Sequence, residues 1–497
     1  MAPDPDNITW LGLHRFGFGP KAGGPAYRSS DLRDALLAEL DKPRAGLISG
    51  ADLLSSGEAA RRAYRDITER RTAQATRIRM ERESAKEGSH NDSMQGPDMQ
   101  GPDMQAPEMA EPGRRKSRRG PDQPKGPNMR IRLYHAEAKA RTDAVLSAET
   151  GVVERLVWFW SNHFCIDARK PAVREIAGAY EREAIRSHVL GSFSDMLLAM
   201  ASHPAMLLSL DQARSMGPNS VVGRRNERGL NENFARELLE LHTLGVRSVY
   251  TQEDVTELAK VLTGWTMVRV YDSNLVGGEF EFNPRLHEPG TRTVIGRRYP
   301  DGGVEQGQAV LRDIARHPAT ARHIANKLAM HFVADAPPQA LIDRLEKRFL
   351  DTDGDLKEVA RALLQADEAW AAARGKIKRP SEWIASALRA ADSEETSQIE
   401  VRLLIQAHEM LGEPLWRPPS PKGYSDLSND WINALSERLD VARLLSRRMT
   451  SQRHPVELLD RSLGPLASGA TRQAVSRAED RTQALALLFM SPEFQRR

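Results

Sequence analysis

From Val152 to Phe164 the chain is apolar on almost every side of a helical wheel, with Leu156, Val157, Phe159, Trp160 and Phe164 covering most of it. A helix with no solvent face can exist only at the centre of a sizeable core. The chain has 497 residues, enough to build that core. Elsewhere the dominant signal is also helical. Periodic segments are expected at 29–85, 129–148, 171–188, 192–201, 305–316, 318–333, 337–349, 355–366, 380–392, 399–411, 432–447, 455–463 and 471–489. Thr251-Gln252-Glu253-Asp254 has the form of a capping box opening a helix that runs to Gly264-Trp265.

One interruption stands out between about Met267 and Arg298. Gly278-Glu279-Phe280-Glu281-Phe282 alternates and Thr293-Val294-Ile295 is β-branched, so short strands are expected there, with turns at Gly277-Gly278 and Glu288-Pro289-Gly290. The predicted fold is therefore mainly α, a multi-helical globular body with a small antiparallel β-element near 267–298. A second interruption, residues 88–128, is polar and rich in Pro, Gly and Met and contains the basic run Arg114 to Arg119. Such a composition buries too little apolar surface to offset its ordering entropy, which predicts a disordered insertion at the tip of a helical hairpin. Three units follow: an N-terminal helical segment with a charged arm (1–87), the insertion (88–128) and a main helical domain (129–497).

Composition removes several functions. The 71 basic and 68 acidic residues nearly cancel, leaving no electrostatic case for a dedicated nucleic-acid binder. No run of about 18 apolar residues exists, so no membrane span is expected. Met1 to Asn7 lacks the basic and apolar regions of a secretion signal, which predicts a cytoplasmic protein, or an exported one if the true start lies upstream. The single cysteine, Cys165, rules out a disulfide framework and a cysteine zinc site, and its apolar surroundings predict an inert buried thiol. Phosphate-loop, nucleophile-elbow and His-Glu-x-x-His patterns are missing from the sequence.

The densest cluster of chemical groups is Asn231 to Gly245, a helix that stops on a glycine. At about 100° per residue Glu237 and Glu240 lie about 60° apart and could converge on one ligand, while His242 falls on the opposite, apolar arc. Of thirteen histidines, His163 and His287 are the other candidates. His163 lies on the apolar side of the central helix, where an imidazole needs a polar partner. His287 lies in a loop beside Arg285 and Glu288. Two imidazoles and two carboxylates would suit Zn, Mn or Fe. The candidate metal ligands are accordingly His163, Glu237, Glu240 and His287, with Glu237 and His287 as candidate catalytic groups. Arg236, about 40° from Glu240, is the competing neutraliser, and with it the cluster becomes a structural network. His331 reads as ordinary core packing. His14 to Gly19 reads as a turn leading into the first helix, and Pro418 to Tyr424, with Lys422 and Trp431 near it, as a rigid loop.

Several of these segments occur together, in order, in one bacterial family. The chain resembles domain of unknown function 1800 through His14-Arg15-Phe16-Gly17-Phe18-Gly19, Trp158 to Phe164, Asn231 to Gly245, Thr251 to Asp254 with Leu262 to Trp265, Phe282 to His287, His317 to Arg322, Pro418 to Gly423 and Ser491 to Gln495. The likeness spans nearly everything except 88–128. It implies no particular activity. It does imply a protein often exported and encoded beside a sulfatase-like partner, although an export signal is not evident here. Two functional readings are open: a metal-assisted hydrolase using the His/Glu pocket, and a non-catalytic helical scaffold or accessory protein. Neither the oligomeric state nor a substrate is indicated.

Overall fold

The computed structural model describes residues 5–25, 27, 29–91, 126–225, 229–270, 277–371, 375–391, 399–432, 435–449 and 453–497. The protein is mainly α. Helices α1 (Pro5–Phe16), α2 (Ser29–Asp41), α3 (Ser56–Asn91) and α4 (Met129–Ser147) precede the central helix α5 (Val152–His163). Then come α6 (Phe193–Ser202), α7 (Asn233–Glu237), α8 (Gln252–Leu262), α9 (Val304–Ala315), α10 (Pro318–Phe332), α11 (Gln339–Asp351) and α12 (Leu356–Gln365). The C-terminal part contains α13 (Pro380–Ala390), α14 (Val401–Met410), α15 (Leu435–Arg448), α16 (Pro455–Ser462), α17 (Gly469–Ser476) and α18 (Arg481–Met490).

The central helix is buried on all sides, as its wheel requires: only Trp158 of its twelve residues is partly exposed. Around it lies a large apolar cluster that includes Phe16, Trp160, Phe164, Phe193, Leu238, Trp265, Leu328 and Phe332. A second cluster gathers α13 to α18 around Trp383, Leu445, Leu459, Leu485, Phe489 and Phe494. Each of these fully buried large side chains contributes about 1.5–3 kcal/mol of hydrophobic stabilisation.

Several local expectations need correction. The stretch 171–188 is not one helix. It breaks into turns at Pro171–Arg174 and Ala177–Tyr180 and then a π-helical turn, Glu181–Arg186. The Asn231–Gly245 segment likewise turns π-helical at Leu238–Thr243 before Gly245, at φ 91°, ends it. Expected helix 471–489 is two helices, α17 and α18. The β-element is two separate antiparallel hairpins, β1 (Trp265–Met267) with β2 (Phe280–Phe282) and β3 (Arg292–Val294) with β4 (Arg297–Tyr299). The His14 to Phe16 residues end α1 rather than precede it. The expected capping box at Thr251 and Asp254 is present.

Of the expected insertion, residues 92–125 lie outside the described residues. Residues 88–91 continue α3, and Asn128 belongs to α4 as its N-cap, its side chain accepting from the Ile131 N–H at 3.1 Å. Asp66 accepts from the Met129 N–H at 3.0 Å, which docks the start of α4 on the first third of α3. Deleting 92–125 with a short Gly/Ser join is therefore expected to leave stability nearly unchanged, whereas deleting 88–128 should cost about 1 kcal/mol through the lost cap. Urea denaturation of the two deletions, compared with the full chain, checks this. Equal losses in both would show that the cap is not the boundary.

Candidate functional site

Of the residues expected from the sequence, Glu237 and Glu240 lie side by side, while His163 and His287 are each tied to a main-chain carbonyl. His163 ends α5, buried, with Nε2 donating to the His242 carbonyl at 3.1 Å. Its ring lies 5.9 Å from that of His242 and 6.1 Å from that of His323. Burial first, then Lys327 and the two imidazoles, hold His163 well below the usual histidine range. Glu237 and Glu240 are neighbours: the half-buried Glu237 carboxyl is raised by burial and then by Glu240. Tyr250 donates to Glu240 at 3.3 Å. Arg236 donates to Glu232 at 3.3 Å and to Gln252 at 2.9 Å, and its charge also pulls the Glu237 carboxyl down against burial and Glu240. His287 is tied through Nδ1 to the Thr263 carbonyl at 2.9 Å, in a loop where Glu288 accepts from Asn219. Among the described residues no three His, Cys, Asp or Glu side chains converge at metal-binding distance. The wheel's placing of Glu237 beside Glu240, and of His242 on the buried side, agrees with the structure, although the turn there is π-helical.

A different set does converge, in the seam between the two apolar clusters. The central helix carries Glu154, Arg155, Ser161 and Asn162 into the interior, and a buried charge must find a partner there. Arg155 meets Glu382 of α13 at 2.8 Å and donates to the Gly17 carbonyl at 2.7 Å. Arg497 donates to the same Glu382 at 2.7 Å. Arg379 pairs with Glu413 and lies 3.7 Å from Asp426. Arg141 of α4 meets Glu181 at 2.9 Å, and Arg186 joins Glu181 to Glu154 at 3.1 and 2.7 Å. The π turn makes that last link possible, since i,i+5 residues share a face there.

Main-chain contacts fasten the seam. Gly17 approaches so closely that a Cβ would stand 2.1 Å from the Thr150 carbonyl oxygen. His14 donates through Nε2 to the Ser462 carbonyl at 2.9 Å, and Lys378 donates to its Nδ1 at 3.1 Å. Arg389 donates to the carbonyls of Gly19, Val145, Ala148 and Glu149. On the far side Asn162 clamps the proline-rich loop, accepting from the Tyr424 N–H at 2.8 Å and donating to its carbonyl at 2.9 Å. Gly423 is needed there, because its φ is 83° and a Cβ would meet the Asn162 carbonyl at 2.5 Å. Trp431 braces the same loop by donating to the Ser425 carbonyl at 2.9 Å.

These contacts enclose a small recess of about 40 Å³, lined by Arg155, Trp158, His331, Arg379, Glu382 and Tyr424 among others. His331, from α10, donates through Nδ1 to Asp426 at 2.7 Å. Its Nε2 is buried without a hydrogen-bond partner and lies 4.0 Å from Glu382. Trp158 Nε1 and His408 Nδ1 also line the recess unpartnered. Burial drives His331 down to about 4 against the opposing pull of Asp426. Burial would raise Glu382, but Arg155 and Arg497 overcome it and hold the carboxyl far below the carboxylate range. Arg155 is lowered by burial, then by Arg497, to about 9, and stays cationic at neutral pH. Cys165 is buried at the edge of the recess with its thiol pushed up to about 12 by burial, in keeping with an inert group.

A family model described as protein of unknown function, DUF1800, matches residues 12–496. The chain belongs to the DUF1800 family. Comparison with curated proteins and with solved structures finds no match. Three of the DUF1800 segments noted in the sequence meet at the recess, through Phe18, Trp158 and Pro418. Reading the sequence missed His331 and Asp426, which lie 95 residues apart. The one signal for them was a histidine in the run Leu328-Ala329-Met330-His331-Phe332, and that has the same appearance in any satisfied core.

Two outcomes test this description. Glu382→Gln leaves two buried guanidiniums sharing a neutral amide, so it should cost about 3–5 kcal/mol in urea denaturation; a loss under about 1 kcal/mol would show that the pairs are dispensable. The second concerns pH. His163, His242, His323, His331 and His408 are all lowered, chiefly by burial. The unfolded chain therefore takes up protons first, near pH 6.5. Stability from these groups is complete above that pH and falls as pH drops from about 6.5 towards 4. Denaturation midpoints at pH 7, 5.5 and 4.5 should decline in that order; a flat series would contradict the buried neutral imidazoles.

Proposed function

We propose that the protein is a hydrolase in which His331, oriented by Asp426, acts as general base on a water in the recess. One observation carries the reading: an imidazole tied through Nδ1 to a buried carboxylate lines a cavity with its Nε2 buried and without a hydrogen-bond partner. With Nδ1 protonated toward Asp426 and the ring neutral above about pH 4, Nε2 bears the lone pair a base needs. Water gives a proton to Nε2 as its oxygen attacks the electrophilic carbon. Asp426 stabilises the imidazolium, which then returns the proton to the leaving group. Arg155 and Arg379, on the same wall, are placed to offset negative charge developing on the substrate. This keeps the hydrolytic class expected from the sequence and moves the base from Glu237 or His287 to His331.

The accessory-protein reading draws on a separate observation: Arg141, Arg155, Arg379 and Arg497 each already have a carboxylate, as in a purely structural tie. Hydrolysis of p-nitrophenyl acetate and a panel of acyl amides by the wild-type chain and His331→Asn separates the two. Asn can still donate to Asp426 but cannot act as base. A hydrolase should lose about 10²-fold or more in kcat/KM, with an acid limb near pH 4 in the wild type. Equal rates in both proteins, or no turnover across the panel, would leave the accessory role standing.

A further inference from the structure

The size of the recess limits what it can hold: about 40 Å³ takes roughly three water-sized atoms. Several of the groups around it can only donate. Trp158 Nε1, Arg141 Nε and Arg155 Nε and Nη2 are buried without a hydrogen-bond acceptor, and all three residues line the recess. Glu382 stands 2.8 Å from Arg155 Nη2 and Glu181 stands 2.9 Å from Arg141 Nε, yet neither carboxylate lies in line with those N–H bonds. Nε and Nη2 share one edge of the guanidinium, a fork that can take both oxygens of a carboxylate.

The surrounding charge favours the same kind of guest. The five arginines paired in the seam share five carboxylates, and Lys376 has Asp335 at 2.9 Å. Two further cations have no such match. The partly buried Lys327 is within electrostatic reach of Asp426 and Arg379, and the fully buried Arg438 is within reach of Glu413 and Glu382. Among the described residues neither has a carboxylate at ion-pairing distance. Lys378, also buried in the seam, adds to the same side. At Cys165, on the recess lining, Lys327 is felt more than either Glu237 or Asp167. Both lining imidazoles are held neutral, chiefly by burial. The recess therefore lies in a field with an excess of positive charge, which an anion would offset.

We infer that the recess is a binding site for the carboxylate of a short-chain acid, of the size of formate or acetate, with its oxygens on the N–H groups of Arg155, Arg141 and Trp158. The bound oxygens supply the acceptors that those donors lack. A bulky acid such as pivalate exceeds the room available. The site uses the same recess as the hydrolase reading but does not need His331 to act as a base. If His331 does act so, this carboxylate is the acid left when water adds across an acyl bond and an alcohol or amine departs. The substrates then narrow to esters or amides of short acids.

Calorimetric titration of the full chain at pH 7 and constant ionic strength, with formate, acetate, acetamide, pivalate and phosphate, tests the assignment without turnover. Formate and acetate should bind at least about tenfold more tightly than acetamide, which has the shape of acetate without its charge, and pivalate should not bind. Trp158→Phe keeps an aromatic ring beside Arg141 and removes one donor, so it should weaken acetate about tenfold. Lys327→Met, outside the recess lining, should weaken acetate about fivefold and leave acetamide unchanged. The wild-type comparisons stand whether or not either variant folds. Acetamide binding as tightly as acetate, or no binding by either small carboxylate, would overturn the anion site. Pivalate binding as well as acetate, or acetate affinity unchanged in a folded Trp158→Phe, would overturn its place in the recess. Phosphate bound in preference to acetate would overturn the carboxylate. Acetate binding of the expected kind in a chain that hydrolyses nothing would sink the hydrolase reading and leave this one intact.

Discussion

Glu382 is a carboxylate with almost no access to water, held between the guanidiniums of Arg155 and Arg497, and much of the interior is arranged around it. An isolated buried carboxylate would simply protonate; two cations keep it ionised. The pairing joins three places distant in sequence: the central helix, the start of α13 and the segment at Arg497. That segment is also paired through its backbone, with the Lys378 N–H donating to the Gln495 carbonyl at 2.8 Å and the Arg497 N–H to the Lys376 carbonyl at 3.0 Å. Hydrophobic packing is non-directional and could bring the two apolar clusters together at many angles. A buried ion pair tolerates few.

The two π turns serve that same interior. An α-helical Glu181 and Arg186 would point apart, and Arg186 could not bridge Glu181 to Glu154 of the central helix. At Leu238–Thr243 the widened turn leaves the Leu241 and His242 carbonyls to accept from His323 and His163. Both turns therefore exchange regular helix bonding for side-chain contacts with elements packed against them. The result is a body whose centre contains arginines, glutamates and histidines among its aromatic side chains.

Such a seam has two costs that a simple apolar core would avoid. Desolvating five ion-paired arginines and carboxylates offsets much of their mutual attraction, so hydrophobic residues of similar volume would be at least as stable. The unpartnered nitrogens of His331, His408 and Trp158 add to that cost. All three residues line the same recess.

How much of this could be read from the chain differs between fold and site. The all-round apolarity of Val152 to Phe164 announced a buried central helix, most helices lay within a few residues of their periodic segments, and Thr251 and Gly245 marked a start and an end as caps do. These follow from local rules: side-chain spacing, capping and the preference of glycine for positive φ. The partner strands at Trp265–Met267 and Arg297–Tyr299 were not legible, because Trp265 reads as the end of the preceding helix and Arg297-Arg298 shows no polar–apolar alternation. Nor was the site. Glu237 and Glu240 were correctly placed beside each other, but a straight α-helical wheel could not foresee the π turn that follows. His331 became notable only when Asp426 arrived from a loop 95 residues away and left the other ring nitrogen buried without a partner. Sequence determined which segments would be helices and which of them would be buried. Only the tertiary structure decided which buried charges would meet, because partner choice in a low-dielectric interior depends on distances between elements that no local pattern encodes.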